Sequence, residues 1–258
     1  MLRFRSLGSG STGNATLVEA TVGGRTTRLL VDCGFGLKQL QVRLATAGLE
    51  ASHLDAVFVT HEHGDHIGCA HMLARRHRIP VWMSEGTWLA TGGRDFEGML
   101  HLARDGADIP IGDLLLRPFT VPHDAREPLQ LVCTDGARRL GVLTDLGHAT
   151  PYVLGQLAGL DALLLECNHD SDMLAQSSYP AFLKHRVGGN YGHLSNTAAA
   201  DIARAVLHGG LRHVVAAHLS EQNNRPSIVR QVLAQALGAA EQDVLTADAA
   251  SGSPWLDV

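Results

Sequence analysis

The chain has 258 residues, 45% of them hydrophobic and 18% charged. That is ample for a real core, and no run approaches the roughly 20 apolar residues a membrane-spanning helix needs. Lysine and arginine total 21 against 26 acids, a net charge of −5, so the bulk charge does not mark a protein built to coat a polyanion.

Residues 3–7, 15–20 and 26–31 alternate or run apolar between glycine-rich turns and are predicted as antiparallel strands. Residues 37–47 suit a helix, 56–60 a buried strand, 67–77 a helix, 80–83 a short strand and 85–90 a helix. The stretch 92–110 is the least patterned and reads as a mobile loop. A second antiparallel group is expected at 114–121, 129–134 and 140–144, with Asp135-Gly136 as a hairpin turn. Helices (151–157, 196–207, 227–237) then alternate with strands (162–165, 214–217, 244–246). Strands followed by helices, twice over, predict two sheets packed face to face with helices outside. No linker or charge block divides the chain, so 1–258 is read as one domain.

Met1 to Leu7 lacks the apolar core and cleavage site of an export signal and already reads as a strand, which points to the cytoplasm. Cys33, Cys69, Cys133 and Cys167 are scattered through apolar surroundings, as suits free thiols in a reducing compartment. Cys33 and Cys167 stand close to the motifs below, which leaves a ligand role for either open.

The densest chemistry is Thr60-His61-Glu62-His63-Gly64-Asp65-His66, directly after the strand at 56–60. Imidazole and carboxylate are ligands that suit zinc, manganese and iron. His61 and His63 are two apart, so extended backbone aims both rings one way, and Asp65-His66 follow where the chain turns into a helix. One loop can therefore serve two neighbouring ions. Further partners stand just beyond other apolar strands: Asp32, His123, Asp145 and His218. Polar residues at several strand ends describe a site along one edge of a sheet.

In that order, Asp32, the His61–His66 run, His123, Asp145 and His218 resemble the five motifs of the metallo-β-lactamase superfamily over nearly the whole chain. The resemblance implies an α/β fold, a four-layer αβ/βα sandwich, with a binuclear metal centre. By that likeness His61, His63 and His123 would hold one ion, Asp65, His66 and His218 the second, and Asp145 would bridge them. Asp32 would buttress the ligand loop. The runs Ser6–Asn14, Glu166–His169, Gly192–Asn196 and His218–Asn224 are similar to the YycJ/WalJ-type branch, bacterial proteins regarded as DNA exonucleases. That likeness implies a 5′→3′ DNA exonuclease, with DNA as partner and no membrane. A chain of this length is expected to lack the inserted domain of larger nuclease branches.

Two divalent ions about 3.5–4 Å apart can hold a bridging hydroxide and clamp the attacking and leaving oxygens. Aspartate at the bridging position suits zinc or manganese, with iron a third option; antibiotic-hydrolysing members often carry cysteine there. Asp65 can orient the hydroxide through its free oxygen. His193, in the loop where phosphodiesterase branches carry a catalytic histidine, is expected as general acid, with Glu166 fixing its tautomer. His169 is either an extra ligand or a residue packed behind one. Ser11 and Asn14 in the glycine-rich turn, and Asn223, Asn224 and Arg225 after His218, are candidate phosphate contacts, although a plain hairpin loop explains the first pair equally well. The basic runs at 75–78, 138–139 and 184–186 read as solvated faces. With three Trp, three Tyr and six Phe, no aromatic platform for bases is visible. Alternatives are a phosphodiesterase for small or cyclic esters, a metal-stabilised partner-binding module without catalysis, and a thioester or lactone hydrolase. Nothing indicates an oligomeric state.

Overall fold

The computed structural model describes residues 1–258. Three antiparallel strands open the first sheet: β1 (Leu2–Gly8), β2 (Ala15–Val22) and β3 (Arg25–Val31). After α1 (Leu37–Thr46) the sheet continues in parallel through β4 (Ala56–Phe58), β5 (Val81–Ser84) and β6 (Leu100–Ala103). The crossovers carry α2 (Gly64–Ile67), α3 (Ala70–His77) and α4 (Glu85–Ala90). Every side chain of β4 is buried, as befits a central parallel strand covered on both faces.

The second half repeats the plan. β7 (Ile109–Ile111), β8 (Leu114–Thr120), β9 (Leu129–Thr134) and β10 (Arg139–Leu143) pair antiparallel. Helix α5 (Pro151–Gln156) leads to the parallel strand β11 (Ala162–Glu166). Helices α6 (Ser171–Gln176), α7 (Ala181–Val187) and α8 (Asn196–Val206) precede β12 (His213–Ala217), and α9 (Pro226–Leu237) precedes β13 (Leu245–Thr246). The last strand, β14 (Leu256–Asp257), returns to pair with β1, giving two seven-stranded sheets.

Three apolar clusters make this a four-layer sandwich. Phe4, Val18, Leu29 and Phe58 of the first sheet meet Leu116, Leu131, Val142 and Leu164 of the second in the central core. Leu40, Leu44 and Leu73 pack the outer face of the first sheet, and Leu157, Ile202 and Leu233 that of the second. Truncating any of these leucines to alanine removes about 2–5 kcal/mol. No helix is long and apolar enough to cross a membrane.

Several sequence expectations need correction. Residues 92–110 are not simply a loop: they contain β6 and lead into β7, the free edges of the two sheets. Their apolar residues are few because an edge strand is half covered. The helix expected at 67–77 is broken at Gly68, whose φ of 28° ends α2 and lets the backbone press on Cys33. The turn after β9 is four residues long, and Asp135 Oδ1 accepts the N–H groups of Ala137 and Arg138. Helices α6 and α7 and strand β14 carried too short a pattern to be seen in the sequence.

Candidate metal centre and active site

The parallel strands β3 and β4 and the parallel strands β10, β11 and β12 all deliver their carboxyl ends to one edge of the sandwich, the usual location of sites in parallel sheets. Three of the residues that follow them, Asp32, Asp145 and His218, have φ values of 60°, 54° and 53°. Left-handed backbone is costly for a residue with a Cβ, about 1–2 kcal/mol, although Asp and His tolerate it better than most. The kink turns each chain sharply at the strand end. In all three cases the side chain so placed belongs to the polar cluster. Buried Gln130 fixes the backbone just before Asp145: its amide oxygen accepts Thr144 N–H at 2.9 Å and its nitrogen donates to Thr144 O.

The ligand loop is clamped from behind. Gly34 lies so close that an added Cβ would fall 1.7 Å from Asp65 O. Asn14 donates from its backbone to Asp65 O at 2.8 Å, and Cys33 N–H donates to His66 O at 2.9 Å. Asp32 accepts from Thr60 N–H at 2.8 Å and holds His66 Nδ1 at 2.8 Å. The buttress implied for Asp32 is therefore a set of named hydrogen bonds.

His61, His63 and His123 form one convergent group. His61 Nε2 lies 3.0 Å from His63 Nδ1, which lies 3.4 Å from His123 Nε2. Nitrogens arranged about a cation at roughly 2.0–2.1 Å stand about 3.0–3.4 Å apart, which these spacings match. The opposite nitrogens are occupied: His61 Nδ1 by Thr60 Oγ1 at 3.0 Å and His123 Nδ1 by Gly192 O at 3.0 Å. Metal-ligating imidazoles are normally held in this way. Burial drives the pKa of His61 well down, and that of His123 down as well, keeping both rings neutral and ready to ligate.

Asp65, His66 and His218 form a second group. His218 Nε2 is 3.3 Å and His66 Nε2 3.7 Å from Asp65 Oδ2. Between the groups lies Asp145, which clusters with His61 and His66. Its Oδ2 sits 2.9 Å from His66 Nε2 but is not aligned for a hydrogen bond, so this buried oxygen has no hydrogen-bond partner. An orphaned carboxylate oxygen facing ring nitrogens fits a cation between them. Burial opposes charge on His218 and His66, yet the Asp145 carboxylate prevails, raising His66 well above its usual range and His218 to about 9. Asp145 itself is opposed by burial but held well below the ordinary carboxylate range by His218 and His66. Neither Cys33 nor Cys167 joins these groups; all four thiols are free and buried.

His193 and Glu166 stand beside the second group. His193 Nδ1 donates to Glu166 Oε1 at 2.7 Å and is 3.3 Å from Asp145 Oδ1. Glu166 Oε2 accepts Leu146 N–H at 2.9 Å and Leu194 N–H at 3.3 Å, so this buried carboxylate ties the Asp145 loop to the His193 loop. Burial disfavours charge on His193, but Glu166 and Asp145 outweigh it and raise its pKa well above normal.

The clusters open to a cleft of ≈ 240 Å³ lined by Ser11, His63, Asp65, Asp124, His193 and Arg186, among others. Of the five candidate phosphate contacts, only Ser11 lines it. Asn14 is buried, its amide spent on Gly10, Asp65 O and His66. Asn224 is locked to Cys167 O and Asn196, and buried Asn223 donates to Ser220. Arg225 folds back on Glu221 O and Asn224 O and lines a different hollow. These four stand away from the cleft: Asn14 and Asn224 brace loops through their amides, Asn223 is buried against Ser220, and Arg225 turns its Nη1 to backbone carbonyls outside the cleft. His169 is not in a metal cluster; it lines a second cleft on the other side of α7, with its Nδ1 unpartnered. Sequence reasoning missed Asp124, whose Oδ1 is 3.4 Å from His123 Nε2, and Arg186, whose Nε donates to Asp124 Oδ2 at 2.5 Å. Asp124 was signalled only by following His123; Arg186 lay in a basic run read as solvated.

Fold and site together define a member of the beta-lactamase superfamily: residues 27–219 match the family described as Beta-lactamase superfamily domain, and the chain belongs to it. Its histidine and aspartate clusters are suited to divalent metal ions. Among its relatives, the Bacillus anthracis protein named Exodeoxyribonuclease YycJ is 34% identical over 239 residues, covering 92% of this chain and 89% of the relative. Exodeoxyribonuclease WalJ of Streptococcus pneumoniae serotype 2 (strain D39) is 30% identical over 247 residues, covering 94% and 90%. The metallo-beta-lactamase fold protein YhfI from Bacillus subtilis superposes with a TM-score of 0.76 at 17% identity, covering 99% and 98% of the two chains, and shares the fold.

Proposed function

We propose that the chain is a metal-dependent phosphodiester hydrolase acting as a DNA exonuclease of 5′→3′ polarity. The observation that carries this reading is the pair of ligand clusters opening into one cleft beside a carboxylate-held histidine. The exodeoxyribonuclease names of two relatives that align over most of their length support the choice of DNA. His61, His63 and His123 would hold one ion, Asp65, His66 and His218 another, and Asp145 would be shared; imidazole and carboxylate suit zinc or manganese, with iron as a third option. When bound, such ions supply Lewis-acid polarisation of a phosphate oxygen and water acidified to near neutral pH.

The residues do the rest. Asp65 accepts a hydrogen bond from the attacking water through one carboxylate oxygen. Glu166 holds Nδ1 of His193, leaving Nε2 to carry a proton into the cleft. As the water oxygen bonds to phosphorus it releases a proton to solvent at the cleft mouth, and as the bond to the leaving sugar oxygen breaks, the His193 proton passes to that oxygen. Ser11 and Arg186 at the mouth are placed to contact phosphate oxygens. A small phosphodiester or cyclic phosphate is the competing substrate class, and an open cleft speaks against a closed metal site serving partner binding alone. Four unpaired buried thiols suit a reducing, cytoplasmic setting, and the whole chain is taken to act as one domain.

The test is an assay of manganese- or zinc-loaded protein on DNA labelled at either end, beside a chromogenic phosphodiester. Mononucleotides released from the 5′ end are expected. Hydrolysis confined to the small ester would overturn the exonuclease reading.

A further inference from the structure

We infer that helix α7 and the turn after it form a single-strand DNA platform, with Phe182 and Tyr191 stacking bases and Arg186 taking a phosphate. This rests on the nuclease reading above and deepens it. Phe182 is 74% and Tyr191 63% exposed, and they are the two most exposed aromatic side chains. Exposing a phenyl ring so fully forfeits about 2 kcal/mol of burial, and here it happens twice within one short segment.

That segment is a wall of the metal cleft. Leu183, Arg186 and Val187 of α7 line the cleft that contains Asp65, Asp145 and His193. Ala181, Lys184, His185 and Gly188, on the opposite face, line the cleft that contains His169. At 3.6 residues per turn Phe182 falls between Arg186 and His185, on the crest between the two clefts. Tyr191 precedes Gly192, which lines the metal cleft and accepts His123 Nδ1 through its carbonyl. An aromatic therefore stands at each end of this wall.

The charge fits the same occupant. In a chain of net charge −5, α7 turns Arg186 to the metal cleft, while Lys184 lies on the far face with its Nζ donating to Ala175 O. Arg186 uses Nε on Asp124 and keeps its terminal nitrogens for another acceptor. A cation at the cleft for a backbone phosphate, with aromatics for sequence-tolerant stacking, fits single-strand binding. Continuity with the metal cleft selects a strand of the substrate over an apolar protein partner.

The test uses the full-length, manganese-loaded protein. Steady-state kinetics of Phe182→Ala, Tyr191→Ala and the double variant are measured on a labelled oligothymidylate, on an oligonucleotide with abasic sites, and on bis(p-nitrophenyl) phosphate. Each alanine is expected to raise KM for oligothymidylate about 5- to 100-fold. The abasic strand and the small ester have no base to stack and should respond within about twofold. Phe182→Trp and Tyr191→Phe should restore the KM. Unchanged KM in the double variant, with the wild type active on DNA, would overturn the platform while leaving the nuclease reading intact. Equal losses on the small ester would also overturn it, as would a switch from dimer to monomer with KM unmoved, which would assign the patch to a second copy of the chain. Wild-type protein that cleaves the small ester but no oligonucleotide would overturn both.

Discussion

In the proposed mechanism His193 moves a proton and holds no metal. It lines the cleft and is held by Glu166, yet it also converges with Asp145, Glu166 and His218 in a set able to hold a cation, so a variant must part the two roles. His193→Ala is expected to lower kcat about 10²- to 10⁴-fold, with metal content by atomic absorption unchanged; loss of metal would place the ring among the ligands instead. The pH dependence has a definite sign. As the proposed acid, His193 holds its proton below its raised pKa and loses it as pH rises through it, so it is expected to set the alkaline limb of kcat. Glu166→Gln removes the leading attraction for that proton, and the limb should move to lower pH. A limb that stays put or moves up would exclude this pairing. His218 makes the converse point, since burial opposes its charge but Asp145 lifts its pKa to about 9. Cation and proton then compete for one ring, and metal binding at pH 7 should release protons. Calorimetry in buffers of different ionisation enthalpy measures this directly; a heat independent of buffer would remove His218 from the ligand set.

Elements explain why some of this was legible and some was not. The ligand loop was readable because its histidines and aspartate are adjacent in sequence and follow an apolar strand that becomes β4. Asp32, Asp145 and His218 were readable because a polar residue ending a buried strand breaks the pattern. Gln130 was invisible: it sits within an apolar strand, second in β9, and its role appears only when β9 meets the residue before Asp145. Gln130→Leu fits the space but strands two buried backbone groups of Thr144, costing about 2–4 kcal/mol. It should lower both the unfolding temperature and metal affinity, whereas equal metal affinity would show Asp145 to be held by other means. Asn14, Asn223 and Asn224 misled for the opposite reason, since loop asparagines beside a site look like ligand contacts until the backbone groups they satisfy are seen. Gly34→Ala should be worse than any of these, because its Cβ would overlap Asp65 O. Expression as insoluble protein, or loss of metal, is the expected result; a well-folded, metal-replete variant would show the loop to be pliable.

At the scale of the whole molecule, two sheets of the same plan meet so that their parallel strands end together, and the proposed metal ligands come from both. The first sheet and its crossovers give His61, His63, Asp65 and His66; the second gives Asp145, His218 and, from the loop after β8, His123. Cations held by that proposed set would cross-link the halves. Chelation should therefore lower the melting temperature, and added manganese or zinc should restore it in a concentration-dependent manner. Thermal scans that do not respond to either would deny that both sheets share the ions. The left-handed kinks at Asp32, Asp145 and His218 have a further consequence for how the centre is made. Their conformational cost is met by folding, since Thr60, Gln130 and Ser9 hydrogen-bond at or beside these kinks. Little reorganisation is then left for the moment of loading, so different divalent ions should enter the same rigid socket and change the rate of turnover far more than the shape of the cleft.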